Sequence, residues 1–141
     1  MTTFTKEERL CSRKVIDALF ANGHRLMAFP FSIYWQALPA DAEGAPFEGP
    51  AQVLIVAPKR KLHHAVQRNR AKRLMRECYR LRKDALYTFL QQHHLRLVLS
   101  FTYIHTDIFA FDRFSTKFDK AFDSLLHDIE ASLAPTEAPQ S

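Results

Sequence analysis

The side chains with a chemically telling spacing are bases, and the chemistry they suggest is the neutralisation of phosphates. Positions 59–83 hold eleven of the 20 lysines and arginines against a single acid, Glu77. The stretch is therefore +10 in a chain of net charge +5, which leaves everything else at −5. Within it Asn69, Lys72, Arg73, Arg76, Arg80 and Lys83 recur every three or four residues, and on a helix their heads project as a row. Like charges so close destabilise an isolated helix by roughly a few tenths of a kcal/mol per pair. A polyanion laid along the row removes that penalty, and a phosphate backbone is the commonest one. A solvated helix face would mix Lys with Glu, and this one does not.

Other chemistries fit the residues less well. His63-His64 and His93-His94 are adjacent pairs, and neighbours on a helix point about 100° apart, so neither pair makes a metal cage. Contact with RNA or shaping of the helix start is the better role for His63 and His64. Asp17, Asp84, Asp119, Asp123 and Asp128 decorate helix surfaces without an acid–base pairing. The three glycines stand alone, so no phosphate-cradling loop is present. Cys11 and Cys78 match no metal or redox spacing and read as reduced thiols of a cytosolic protein. No catalytic residue and no metal ligand is expected in this chain. With no apolar leader and no uncharged run of membrane-spanning length, neither secretion nor a membrane span is expected. A cytoplasmic location is expected instead.

The elements that must position the row follow from periodicity. At 141 residues and 47% hydrophobic, with twelve Phe, the chain makes one domain over 1–133 and leaves a Pro-rich disordered tail over 134–141. Arg9, Leu10 and Cys11 read as extended. Ser12 caps a short helix over 13–21 that ends at Gly23, with Val15, Ile16, Leu19 and Phe20 as its apolar face. Residues 26–38 alternate with period two. Phe29, Phe31, Ile33, Trp35 and Ala37 face the core, and Tyr34 points the other way. Pro30 argues for an edge or a bulge near that strand's start. Residues 39–50 form a loop, and 51–57 a buried strand. No Gly or Pro interrupts 62–90, so the basic stretch is helical, with Ala71, Leu74, Met75, Cys78, Leu81, Ala85 and Phe89 toward the core. A strand over 95–104 and a helix lined by Phe114, Phe118, Phe122, Leu125, Leu126, Ile129 and Leu133 complete the chain. The expected fold is an α/β (α+β) two-layer sandwich on one mixed sheet, in the order α-β-β(β)-α-β-α with the basic helix central.

The run Ala65-Val66-Gln67-Arg68-Asn69-Arg70-Ala71-Lys72-Arg73-Leu74-Met75-Arg76-Glu77 resembles the signature of the bacterial ribonuclease P protein component. That signature is a basic pair, then Ala-Val-x-Arg-Asn-Arg-x-Lys-Arg-x-x-Arg-Glu, and Lys59, Arg60 and Lys61 supply the basic lead-in. Arg9-Leu10, Leu19-Phe20 and Gly23 match the family's N-terminal pattern. Two departures stand out: His63 where many members have Gly, and Ile16 where Phe is usual. The resemblance covers roughly residues 6 to 133.

The resemblance implies a left-handed crossover about the basic helix, which no pattern in the sequence would suggest. It implies a catalytic subunit made of RNA that binds Mg2+ and removes the 5′ leader of precursor tRNA, with no cofactor held by the protein. Arg68, Asn69, Arg70, Lys72, Arg73 and Arg76 would then face that RNA, with Arg80 continuing the row and Lys59, Arg60 and Lys61 extending it at its start. Phe20 and Tyr34 would line a groove for the leader between the first helix and the sheet, where aromatic faces stack on unpaired bases of any sequence. Core packing is the competing role for Phe20. By physics alone, a structural RNA-binding protein of ribosomal type fits the basic helix equally well. A DNA-reading helix-turn-helix fits poorly, because residues 51–58 read as a strand where the partner helix should be.

Overall fold

The computed structural model describes residues 8–40 and 49–133. Its elements are α1 (Arg13–Asn22), β1 (His24–Ala28), β2 (Phe31–Pro39), β3 (Ala51–Val56), α2 (Ala65–Gln92), β4 (Leu95–Tyr103) and α3 (Phe111–Leu133). One four-stranded mixed sheet has the order β1-β2-β4-β3, as the expected α+β class requires. β3 runs parallel to β4, and the other neighbours are antiparallel. Parallel neighbours need a crossover connection, and α2 supplies it. Residues 1–7, most of the expected loop (41–48) and the expected tail (134–141) lie outside the described residues.

Alternation along β2 and β4 builds the core. Phe31, Ile33 and Trp35 share one face of the sheet with Leu97, Leu99, Phe101 and Tyr103, all essentially without solvent contact. α3 lays Phe114 and Phe118 edge-on to Phe31, at 5.5 and 5.4 Å between ring centroids. The Trp35 indole N–H donates to the Asp128 carboxylate on α3 at 2.9 Å, so the one polar edge of a buried indole is satisfied. α2 covers the same face beside α3. α1 lies against the opposite face, where Leu19 packs with Leu10 and Val98. Ser12 caps it as expected, its Oγ accepting from Val15 N. Gly23 ends it because space is lacking: a Cβ there would stand 2.5 Å from the Leu19 carbonyl oxygen and 3.0 Å from that of Trp35.

Two expectations are corrected. The single strand over 26–38 is a hairpin: the cis Phe29-Pro30 turn separates β1 from β2, and Ala28 pairs with Phe31. The two-residue turn resets the alternation, so Ala28 joins the core side and Phe29 is 54% exposed. The apolar stripe of α2 is also rotated from the one expected. It runs through Ala71, Met75, Cys78, Tyr79, Leu86 and Leu90, while Leu81 and Ala85 are exposed. One residue of this stripe, Lys83, is buried by a non-local contact. The segment before α1 returns along β3, where Leu10 N donates to Val53 O, and brings Glu8 onto α2. Lys83, expected among the outward bases, is buried there, with Nζ donating to both Glu8 carboxylate oxygens at 2.9 and 2.7 Å. The Tyr87 hydroxyl donates to the same carboxylate.

Candidate nucleic-acid interface

The basic lead-in is displayed by a tight turn between β3 and α2. Lys61 N and Leu62 N both donate to Pro58 O at 3.1 Å, and Leu62 is buried as the anchor. Lys59 and Arg60 are exposed on that turn, and Lys61 is half-buried. His64, at the N-cap, adopts an extended conformation without a side-chain cap bond. Arg68 fastens the turn instead: its Nη1 donates to Leu62 O at 3.0 Å and to His63 O at 2.9 Å. The turn therefore needs no left-handed residue, and His63 replaces Gly without strain. Among the described residues the positive-φ non-glycine is His94, past the far end of α2.

Along α2 the expected row separates by environment. Asn69, Arg70 and Arg73 are exposed; Lys72, Arg76 and Arg80 are half-buried. Arg80 forms a bidentate pair with Glu77, at 3.1 and 2.6 Å. That hydrogen bond is the main reason the Glu77 carboxyl is held below its ordinary range. Arg76 is shifted down by burial first and by the Arg9 charge second. It stays a cation at neutral pH, since guanidinium titrates so far above 7. Arg9 and Arg76 border a cleft of about 180 Å³ with Val53 and Ile55. This meeting is not legible in the sequence, because the residues are 67 positions apart. No acid stands in the first turn of α2, so nothing opposes the positive end of the helix dipole.

The two expected aromatic residues meet on the α1 side of the sheet. Phe20, on α1, stands edge-on to Tyr34, on β2, with ring centroids 4.8 Å apart. Phe20 is 39% exposed, so core packing does not account for it. Arg25 lies opposite Tyr34 on β1, its guanidinium 5.8 Å from the Tyr34 ring, and its Nε donates to Ser32 Oγ. The exposed Met27 follows on the same face. A cleft of about 480 Å³ between α1 and the sheet, lined by Lys14, Val15, Gln36 and Leu38, continues this surface. Arg25 and Met27 are not legible as part of this surface in the sequence, because only the hairpin aligns them with Tyr34 and Ser32.

Among the described residues no three His, Cys, Asp or Glu side chains are grouped closely enough to hold a metal ion. No described helix is long and apolar enough to cross a membrane. Cys11 is exposed, whereas Cys78 is buried and its thiol is pushed up to about 12, chiefly by desolvation and then by the Asp119 charge.

Comparison with known proteins points one way. The family profile described as Ribonuclease P matches residues 4–124. A protein of Porphyromonas gingivalis named ribonuclease P protein component is 26% identical over 133 residues, spanning 94% of this chain and 93% of its own length. One of the same name from Chlorobium phaeobacteroides is 36% identical over 93 residues, 65% of this chain and 62% of its own. In three dimensions the RNase P protein of Staphylococcus aureus aligns with a TM-score of 0.63 over 84% of this chain and 94% of that one, at 15% identity.

Proposed function

Because this chain belongs to the ribonuclease P protein component family, we propose that its α2 ridge docks on the RNA subunit and that Phe20 and Tyr34 receive the 5′ leader of precursor tRNA. As a family member the chain is a subunit of ribonuclease P, and the ribonuclease P RNA is its partner. In this reading the RNA and its Mg2+ break the phosphodiester bond. The protein binds that RNA and raises its affinity for leader-bearing substrate, in the cytoplasm.

The roles follow from exposure. Arg70 and Arg73 offer free-standing guanidinium groups to phosphates, and the Asn69 amide, which both donates and accepts, fixes register. Lys59, Arg60 and Lys61 prolong that surface. Lys72, Arg76 and Arg80 flank it, and Arg68 holds the turn that presents it. The observation that carries the reading is the exposed Asn69, Arg70 and Arg73 beside a first turn without an acid. Family membership separates it from a structural RNA-binding role without a ribozyme partner.

Photocrosslinking of precursor tRNA carrying a photoreactive uridine in its leader tests the leader half. Label on Phe20, Tyr34 or their neighbours on β1 is expected. Label confined to α2 would remove both aromatic residues from the substrate path.

A further inference from the structure

One end of the sheet carries a cluster that the ridge and the leader groove leave unused. Phe29, at the β1–β2 turn, stands edge-on to His105 at 5.2 Å, and His105 stacks on Phe109 at 4.8 Å. Two cations of α3 sit over the Phe109 ring: Arg113 Cζ at 4.7 Å and Lys117 Nζ at 5.1 Å from its centroid. The support is rigid. Ile104 N donates to Pro30 O at 2.8 Å, tying the turn to the end of β4. The Tyr103 hydroxyl donates to Asp107 O at 2.7 Å, and Ile108 N donates to the Asp107 carboxylate.

Phe29 remains 54% exposed, although Phe is ordinarily withdrawn from water. A ring held open to solvent beside clustered cations has the composition of a surface for single-stranded nucleic acid. Arg113 and Lys117 also border a shallow cleft with Lys120 and one acid, Asp112. The cluster is continuous with the ridge. Phe111, two residues past Phe109 and 42% exposed, shares a cleft of about 480 Å³ with Arg70, Arg73 and the 79%-exposed Val66.

We propose that Phe29, His105 and Phe109, with Arg113 and Lys117, form a second contact of this chain with the ribonuclease P RNA. An unstacked base lies against the Phe29 and His105 rings, and the two cations take the flanking phosphates. The RNA subunit is favoured over the leader because the cluster adjoins Arg70 and Arg73, whereas Phe20 and Tyr34 share the opposite face of the sheet. The inference rests on the docking of α2 on that RNA.

Binding of the full chain to a transcribed bacterial ribonuclease P RNA, without precursor tRNA and over a salt series, tests it. Phe29→Ala is expected to weaken binding about fivefold to tenfold and leave the salt slope unchanged, because it removes stacking alone. Arg113→Gln is expected to make the slope of log K against log salt shallower by about 0.7, one phosphate contact fewer. If both variants bind like the unchanged chain while Arg73→Ala binds more weakly, the second contact is wrong and the ridge stands. If Arg73→Ala is also without effect, docking through α2 has failed as well. A loss seen only with leader-bearing substrate would overturn the assignment to the RNA subunit. Should Phe29→Ala lower the thermal midpoint, Arg113→Gln, at an exposed position of α3, carries the test alone.

Discussion

Arg68, Arg73 and Arg80 lie in or beside one signature yet have three different tasks, which only their surroundings distinguish. Arg73 is exposed, so Arg73→Ala should weaken binding to the ribonuclease P RNA by about 1–2 kcal/mol, within the range of charged hydrogen bonds. Arg80→Ala should cost less, since Arg80 already bonds Glu77 bidentately. Titrations of the two variants in one buffer compare them directly, and equal losses would contradict the distinction. Arg68→Ala should instead lower the thermal midpoint, because it frees the carbonyls of Leu62 and His63. Residue identities were legible: the Asn flanked by two Arg marks the family before any coordinate is known. Partners were not, since which base meets a carbonyl, a carboxylate or solvent depends on the path of the turn. Cys78 gives a separate test. An acid whose folded pKa is raised supports the fold fully below its unfolded value of 9.0, and that support declines as pH climbs from there toward 12. Native alkylation near pH 8 should therefore reach Cys11 and spare Cys78, as mass spectrometry would show.

At the scale of elements, local signals suffice where the element owns its pattern. The Ser12 cap, the alternation of β4 and the Phe stripe of α3 need only their own residues. The hairpin is hidden because Phe29-Pro30 fits the apolar alternation on both sides, so a two-residue turn looks like more strand. The burial of Lys83 on α2 is illegible for another reason. A Lys on a basic helix reads as outward unless one knows that Glu8, 75 residues earlier, returns to meet it. Lys83→Ala should strand a carboxylate only 12% exposed and cost about 3 kcal/mol in denaturant unfolding, with the outward side of α2 untouched. An effect on RNA affinity without one on stability would return Lys83 to the row. Gly23→Ala should also destabilise, by about 1–3 kcal/mol, because the end of α1 must shift from the Trp35 carbonyl and loosen its last turn at the Leu19 carbonyl to admit a Cβ.

Across the whole molecule, charge and sheet face divide the labour. α2 shares one face of the sheet with α3 and turns Asn69, Arg70 and Arg73 outward, while α1 takes the other face and holds Phe20 against Tyr34. The opposition of the two helix layers is not legible in the sequence, since an amphipathic stripe says that a helix is buried without saying on which side of a sheet. Of the eleven bases in positions 59–83, Lys83 is drawn inward to Glu8 and Arg80 is held by Glu77, while Lys59, Arg60, Arg70 and Arg73 stay exposed. The central claim is that the chain works by binding a catalytic RNA, and its most direct test is 5′ processing of precursor tRNA by a bacterial ribonuclease P RNA at low Mg2+, with and without the chain. Adding the chain should restore processing, and the chain alone should cleave nothing. Cleavage by the chain alone, or RNA activity unchanged by its addition, would contradict the account.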